Sequence, residues 1–218
     1  MNYQRLYEYR FRGIDQEDRV TVWREIAPFV HGLMGSPRRV LDPAAGRCEF
    51  INAVPAEERW AVDQTDYAER DADAGVTTVV ADIMDAELPD AYFDGVWVSN
   101  FLEHLLSQEQ TAAFLERMRG AMSPGGRIAI MGPNFRYCAR EYFDCADHTL
   151  VYTHTAIAEH LFAAGFEPEQ LILMERAENA LFEIDRQIGA RLIAGAEPLP
   201  VDAPTPFSAT HVYVIGWV

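Results

Sequence analysis

The sequence has few basic residues for its length. Lys and Arg together number 18 against 34 Asp and Glu, which gives the 218-residue chain a formal charge of −16. A surface this acidic repels the phosphates of a nucleic acid, so tRNA, rRNA and DNA are disfavoured as partners. Neutral, cationic or enclosed small molecules are compatible with this charge.

Cysteines and long apolar runs are also scarce. The three cysteines, Cys48, Cys138 and Cys145, are an odd number and give no disulfide framework. Apolar runs such as the one at 128–131 are far shorter than the roughly 20 residues that span a bilayer. The first residues lack the apolar stretch of a secretory signal. We therefore expect reduced thiols, no membrane segment and a cytoplasmic location.

The remaining composition is that of an ordinary folded domain. Apolar residues make up 49% and charged residues 24% of the chain, so residues 1–218 are predicted to form a single domain. Residues 15–34 form a predicted amphipathic helix at its start. The apolar residues on one face of this helix are Val20, Trp23, Ile26, Ala27 and Val30.

Short Val-rich runs then alternate with helical segments. The predicted strands lie in RRVLD, RWAVD, VTTVVAD, FDGVWVS, GRIAIMG, Phe166–Met174 and HVYVIGWV. Ser107, followed by Gln110, predicts a capping box at the start of one helix, and Thr153–Gly165 predicts another helix. Because strands and helices alternate and most strands are continuously apolar, the sequence predicts an α/β fold with a doubly wound, mostly parallel sheet.

Two segments interrupt this alternation. Residues 134–150 are aromatic and polar and directly follow a predicted strand, at the edge where open α/β sheets bind their ligands. We interpret them as a substrate-side insertion. Residues 176–209 separate the last two strands by more than a hairpin needs, and a lid, a contact in a homodimer or an irregular insertion would each fit them.

Carboxylates and small residues follow the predicted strands. The first strand ends at Asp42, and the turn after it contains Gly46, where a ligand can approach the backbone closely. Asp63, at the end of the next strand, is positioned to accept hydrogen bonds from both hydroxyls of a ribose. Asp82 could meet an adenine amino group, with Ile83 covering the ring. This pattern indicates an adenosine site.

In this order the residues resemble the class I S-adenosylmethionine-dependent methyltransferases over residues 38–175. The family's loop D-x-G-x-G-x-G aligns with Asp42, Ala44, Gly46 and Cys48, so two of its three glycines are replaced. The resemblance implies S-adenosylmethionine as cofactor and a mostly parallel seven-stranded sheet with an antiparallel last strand. The residues that it implies for the cofactor are Arg12, Asp42, Ala44, Gly46, Asp63, Gln64, Asp82, Ile83, Asn100 and Phe101.

A dinucleotide oxidoreductase is the nearest competing interpretation, because both folds place an acid after a turn of small residues. The third glycine of a dinucleotide fingerprint would fall at Glu49. A carboxylate there would repel pyrophosphate from the helix N-terminus. A sulfonium cofactor carries positive charge and tolerates acidic neighbours.

The aromatic segment offers groups for an acceptor. Methylation of an oxygen with high pKa requires removal of its proton, and we predict His148 as general base, oriented by Asp147, with His104 as the other candidate. A packing or capping role is the alternative for either histidine. Predicted substrate contacts are Asn134, Arg136, Tyr137 and Tyr142. No metal is expected, because Cys138, Cys145, His148 and His154 match no closed zinc pattern.

The sequence thus predicts an enzyme that methylates a small polar molecule at an oxygen. The segments YRFRG and PNFRYCAREYFDCADH further resemble a subgroup linked to carbohydrate and specialised-metabolite pathways. N-methylation of an aminosugar is one alternative. The other alternative is a regulatory protein that binds the cofactor on a decayed scaffold, which Ala44 and Cys48 would explain.

Overall fold

A computed structural model describes residues 2–10, 12, 16–175 and 209–217. The helices are α1 (Tyr3–Arg10), α2 (Gln16–Leu33), α3 (Glu49–Ala53), α4 (Tyr67–Asp71), α5 (Gln108–Ala121), α6 (Phe135–Cys138) and α7 (His154–Ala163). The strands are β1 (Arg39–Asp42), β2 (Glu58–Asp63), β3 (Val76–Val80), β4 (Phe93–Ser99), β5 (Met122–Pro133), β6 (Glu167–Glu175) and β7 (Ala209–Trp217). Two 3-10 turns lie at Leu102–His104 and Tyr142–Asp144.

The described strands form one sheet in the order β3-β2-β1-β4-β5-β7-β6. Strands β1 to β5 pair in parallel, and β7 lies antiparallel between β5 and β6. The direction of strand order reverses between β1 and β4. Such a switch point leaves a crevice at the carboxyl ends of the strands, where α/β proteins bind ligands. The predicted α/β, doubly wound fold is confirmed.

Both faces of the sheet are covered, and neighbouring strand residues point to opposite faces. On β4, Trp97 packs with α2 and α3, whereas Val96 and Val98 pack with α5 and α7. On β1, Val40 packs on the same face as Trp97, whereas Leu41 packs on the opposite face with Val96 and Val98. This period of two between two buried faces explains why the strands are continuously apolar.

Helix α5 begins where the capping signal predicts. The Ser107 hydroxyl accepts a hydrogen bond from the Gln110 amide, and the Gln110 side chain accepts one from the Leu106 amide rather than from Ser107 itself. The predicted helix 15–34 is observed as α2, whereas α1 was not predicted. The predicted insertion 176–209 lies outside the described residues except for Ala209, which begins β7.

Within the described residues, every helix is too short or too polar to span a membrane.

Candidate active site

A cavity of about 360 Å³ lies at the carboxyl ends of β1, β2 and β4. Its lining includes every predicted cofactor residue except Arg12. These residues are Asp42, Ala44, Gly46, Asp63, Gln64, Asp82, Ile83, Asn100 and Phe101. Of the predicted catalytic residues, His104 is the one in the lining. The switch point of the sheet therefore holds a single space that could accommodate both a cofactor and an acceptor.

The turn after β1 is built to expose its backbone. Gly46 has φ of +50°, a conformation that costs glycine little, and a Cβ added there would meet no heavy atom within 4 Å. The Ala45 amide donates to the carbonyl of Val62 at 2.9 Å, which ties the turn to β2. Asp42, only 3% exposed, accepts from the Ala44 amide at 3.3 Å. Burial raises the pKa of the Asp42 carboxyl to about 8.

Cys48 replaces the last glycine of the loop without filling the cavity. Its φ is +63°, an uncommon value for a residue with a side chain. The thiol is fully buried in the cluster around α2 and α3, with Sγ 3.8 Å from the carbonyl oxygen of Ala68. Because Cys48 is not part of the cavity lining, this substitution leaves the cofactor space open.

Asp63 connects the two strand ends that border the cavity. One carboxylate oxygen accepts from the Gly46 amide at 2.8 Å. The other accepts from the amide and the hydroxyl of Thr65 at 2.8 and 2.7 Å. The carboxylate is thus held in place before any ligand binds, and the oxygen that accepts from the Gly46 amide keeps one lone pair for a ligand because a carboxylate oxygen has two.

The next loop presents Asp82 and Ile83 at the same edge. Asp82 is exposed and accepts from the Met84 amide at 2.9 Å, whereas Ile83 is 4% exposed. The Arg117 side chain reaches from α5 and donates to the carbonyls of Ile83 and Ala86. These bonds fix a polar group beside an apolar one, which suits the edge and the face of a planar ring.

The three predicted catalytic residues form one cluster at the other end of the cavity. His104 Nδ1 lies 3.0 Å from the Asp147 carbonyl oxygen and 3.4 Å from its carboxylate. The rings of His104 and His148 meet edge to face, with centroids 5.0 Å apart. Burial, and then the charge of His104, lower the pKa of His148. His104 borders the cavity and is the histidine that Asp147 contacts, whereas His148, the predicted general base, lies outside the cavity lining.

Comparisons with known proteins find a likeness over the strands that border the cavity. Residues 35–130 match the protein family described as "Methyltransferase domain". This part of the chain is therefore similar to a methyltransferase domain. Proteins described as uncharacterized methyltransferases from Mycobacterium bovis and Mycobacterium tuberculosis are 45% identical to it over 62 residues. That match spans 28% of this chain and 30% of the length of those relatives.

Solved structures resemble the methyltransferase domain in fold. A SAM dependent methyltransferase from Archaeoglobus fulgidus has a TM-score of 0.70 at 22% identity, and the match covers 100% of both chains. A Thermotoga maritima protein described as a possible histamine N-methyltransferase has a TM-score of 0.67 at 14% identity, over 97% of this chain and 93% of its own. The resemblance to class I S-adenosylmethionine-dependent methyltransferases is confirmed for the domain and its fold.

Helix α1 contributes to the wall of the cavity, which sequence reasoning missed. Tyr3, Tyr7 and Arg10 all line the cavity. Their spacing puts them on one helical face, and this periodicity is the signal that could have identified them. Arg10 donates to the buried Asp147 carboxylate and so joins α1 to the segment 134–150. Arg12, predicted to hold the cofactor carboxylate, is exposed and outside the lining.

Glu49 is paired with a guanidinium, so it repels a pyrophosphate less than its position in the sequence predicts. Glu49 lines the cavity, but the Arg19 side chain of α2 donates to its carboxylate at 2.7 Å. The pair is largely buried, with side-chain exposures of 15% and 10%. Repulsion of pyrophosphate by Glu49 is therefore weaker than the sequence suggested, and the matched family supports the methyltransferase interpretation instead.

The predicted substrate contacts in the segment 134–150 lie outside the cavity lining. Asn134 and Tyr142 are buried and bonded within the protein, to His154 and to the Leu150 carbonyl. Arg136 is exposed, and the buried Tyr137 hydroxyl has no hydrogen-bond partner among the described residues. The structure therefore gives Asn134 and Tyr142 clear packing contacts, whereas Arg10 and Tyr7 occupy the wall where substrate contacts were expected.

Proposed function

We propose that this chain transfers the methyl group of S-adenosylmethionine to an oxygen of a small polar molecule. The observation that carries the proposal is the continuity of one cavity from Asp63 to His104. The adenosine-binding carboxylate and the acceptor-side histidine border the same space. A cofactor bound along the strand ends would thus point its methyl group towards His104.

The cofactor placement follows the chemistry of the lining. The ribose hydroxyls would donate to Asp63, while the adenine ring would lie on Ile83 with its amino group near Asp82. The amino-acid tail would lie against the backbone of Ala44 and Gly46, near Asn100 and Phe101. Asp63 and Asp82 make this wall acidic, which suits a sulfonium cation better than a phosphate.

His104 is the residue that we propose to activate the acceptor hydroxyl, with Asp147 as its positioning residue and His148 packed beside it. As the new C–O bond forms, the hydroxyl must give up its proton. The electron pair of the breaking C–S bond stays on sulfur, which leaves a neutral thioether. Because a sulfonium is a good leaving group, alignment of the two reactants supplies much of the rate.

The size of the space favours a small acceptor. About 360 Å³ is near the lower end of the volumes typical of small-molecule sites, and side chains of α1 form part of the wall. The net charge of −16 disfavours nucleic acid. A sugar or specialised metabolite fits these limits. The cytoplasmic location and a homodimer stay predictions, as do acceptor contacts from Asn134, Arg136, Tyr137 and Tyr142.

Two alternatives from the sequence stay open to test. An amine acceptor would depend less on His104, because a neutral amine can attack before it loses a proton. A protein that binds the cofactor without turnover is less favoured, since the Cys48 thiol that motivated it is buried away from the cavity.

The decisive experiment is calorimetry with S-adenosylmethionine and with S-adenosylhomocysteine, followed by transfer of a labelled methyl group to a panel of polyols, sugars and amines. We expect both cofactor forms to bind and label to appear on a hydroxyl compound. Absence of heat from both ligands at high protein concentration would contradict the proposal. Label on amines alone, undiminished in a His104→Ala variant, would establish N-methylation.

A further inference from the structure

Three potential metal ligands from two separate parts of the chain lie close together beside the cavity. Glu103 and His104 are consecutive in the 3-10 turn after β4, and His148 lies in the segment 134–150. One carboxylate oxygen and one nitrogen from each ring all lie within 4.8 Å of one another. Two imidazoles and one carboxylate are the ligand set of many sites for divalent transition metals.

The backbone around these side chains is held firmly. The Glu103 carbonyl accepts hydrogen bonds from the amides of Thr149 and Leu150 at 2.8 and 3.2 Å. The Thr149 hydroxyl also donates to the Leu105 carbonyl. These bonds join the 3-10 turn to the residues that follow His148, so the three ligand groups are brought together without any ion.

The hydrogen bonding of His104 prepares its other nitrogen for a ligand. Nδ1 lies 3.0 Å from the Asp147 carbonyl oxygen, which can only accept, so Nδ1 carries the hydrogen. Nε2 of the neutral ring then has a free lone pair. Metal-bound histidines usually donate their second nitrogen to a carbonyl or carboxylate in this way. Arg10 in turn holds the Asp147 carboxylate.

His148 supplies the second observation. Its Nδ1 is buried and, among the described residues, has no hydrogen-bond partner. Buried polar atoms are usually satisfied, and an unsatisfied one costs free energy unless a water, ion or ligand binds it. The cluster also brings the carboxyl groups of Glu103 and Asp147 close to the guanidinium of Arg10, which contacts Asp147.

We propose that Glu103, His104 and His148 bind a divalent transition-metal ion whose open coordination positions face the cavity. An oxygen of the acceptor would bind this ion, and that step rests on the proposed function. The coordinated hydroxyl releases its proton to a water molecule, and its electron pair then forms the bond to the methyl carbon. His104 thereby activates the acceptor through the ion. This replaces the expectation of no metal, which did not consider Glu103.

The test measures metal binding directly. Protein freed of metal with a chelator is titrated with Mn²⁺, Co²⁺ and Zn²⁺ by calorimetry, and the visible absorption of the Co²⁺ form is recorded. We expect one ion per chain. His104→Ala, His148→Ala and the near-isosteric Glu103→Gln should each weaken binding at least about tenfold and alter the Co²⁺ spectrum. His160→Ala, which removes a histidine outside the cluster, should change neither.

Two outcomes would overturn the site: no binding of any of the three ions up to millimolar concentration, or binding that the three variants leave unchanged. Thermal unfolding of each variant identifies one that fails to fold, and the other two then decide the result. Calorimetry with S-adenosylmethionine on the same metal-free protein separates the two proposals. Cofactor binding without ion binding removes only the metal site, whereas ion binding without cofactor binding removes only the proposed methyl transfer.

Discussion

The backbone amide of Gly46 donates a hydrogen bond of 2.8 Å to the carboxylate of Asp63, joining the turn after β1 to the end of β2. One side chain therefore both shapes the turn and borders the cavity. Because β1 and β2 are neighbours in parallel register, with Asp42 opposite Ala61, this contact forms at the sheet edge where ligands bind.

Replacing Asp63 by Ala should weaken S-adenosylmethionine binding at least about tenfold, since hydrogen bonds to a charged group contribute roughly 1.5–3 kcal/mol. Calorimetry measures the change. Asp66→Ala is the matched control, because Asp66 is exposed and outside the cavity lining. Equal affinity of the two variants would mean that Asp63 does not hold the ribose.

Asp42 should make the protein less stable as the pH rises. Burial raises the pKa of its carboxyl from 3.8 to about 8, so the folded state keeps a proton that the unfolded chain loses. Between these two values stability therefore falls with increasing pH. Asp42→Asn removes this dependence and keeps an acceptor for the Ala44 amide. In urea unfolding at several pH values, the free energy of unfolding of Asp42→Asn should rise relative to that of the wild type by up to a few kcal/mol as the pH increases. The free energy of unfolding of the exposed Asp66→Asn should follow that of the wild type.

Arg10 should control the attachment of α1. This helix has no buried residues, and Arg10 joins it to the buried carboxylate of Asp147. In Arg10→Ala we expect amide exchange in residues 3–10 to become at least about tenfold faster, since an unpaired buried charge costs roughly 1–3 kcal/mol or more. Arg5→Ala, on the same helix and exposed, is the control. Equal amide-exchange rates of residues 3–10 in the two variants would show that other contacts hold α1.

Cys48 should be dispensable for cofactor binding. Its thiol is buried away from the cavity, and burial raises its pKa to about 12, so thiol reagents should label it only after unfolding. Cys48→Ala should change cofactor affinity by less than about threefold while costing roughly 1 kcal/mol of stability. Ala44→Leu, which adds bulk inside the cavity lining, should weaken binding strongly. A large loss of affinity in Cys48→Ala would show that the thiol shapes the turn after all.

Local patterns predicted the elements whose stability depends on their own residues. The Val-rich run FDGVWVS becomes β4 with the predicted bounds, because its alternate residues have a buried face on each side. Helix α5 starts after Ser107 because that hydroxyl caps a free amide. Helix α1 was missed because it is short and polar, and Tyr3 and Tyr7 line the cavity rather than a core.

The candidate site also has residues that local patterns predict and contacts that they do not predict. Asp42, Gly46, Asp63 and Asp82 could be located from the sequence because each ends a strand or lies in the loop after one, and parallel strands bring their carboxyl ends to one edge. The pairing of Arg19 with Glu49 could not be located, nor could that of Arg10 with Asp147, because each joins residues far apart in the chain.

The order of strands, turns and carboxylates in the sequence by itself determined the α/β fold, the predicted adenosine site and the resemblance to methyltransferases, because those depend on local periodicity and on spacing along the chain. Tertiary structure alone decided that Cys48 is buried in the core, that α1 contributes to the cavity lining, and that His104 rather than His148 borders the cavity. Each of these depends on which distant side chains meet when the faces of the sheet are covered, and that packing leaves no local pattern.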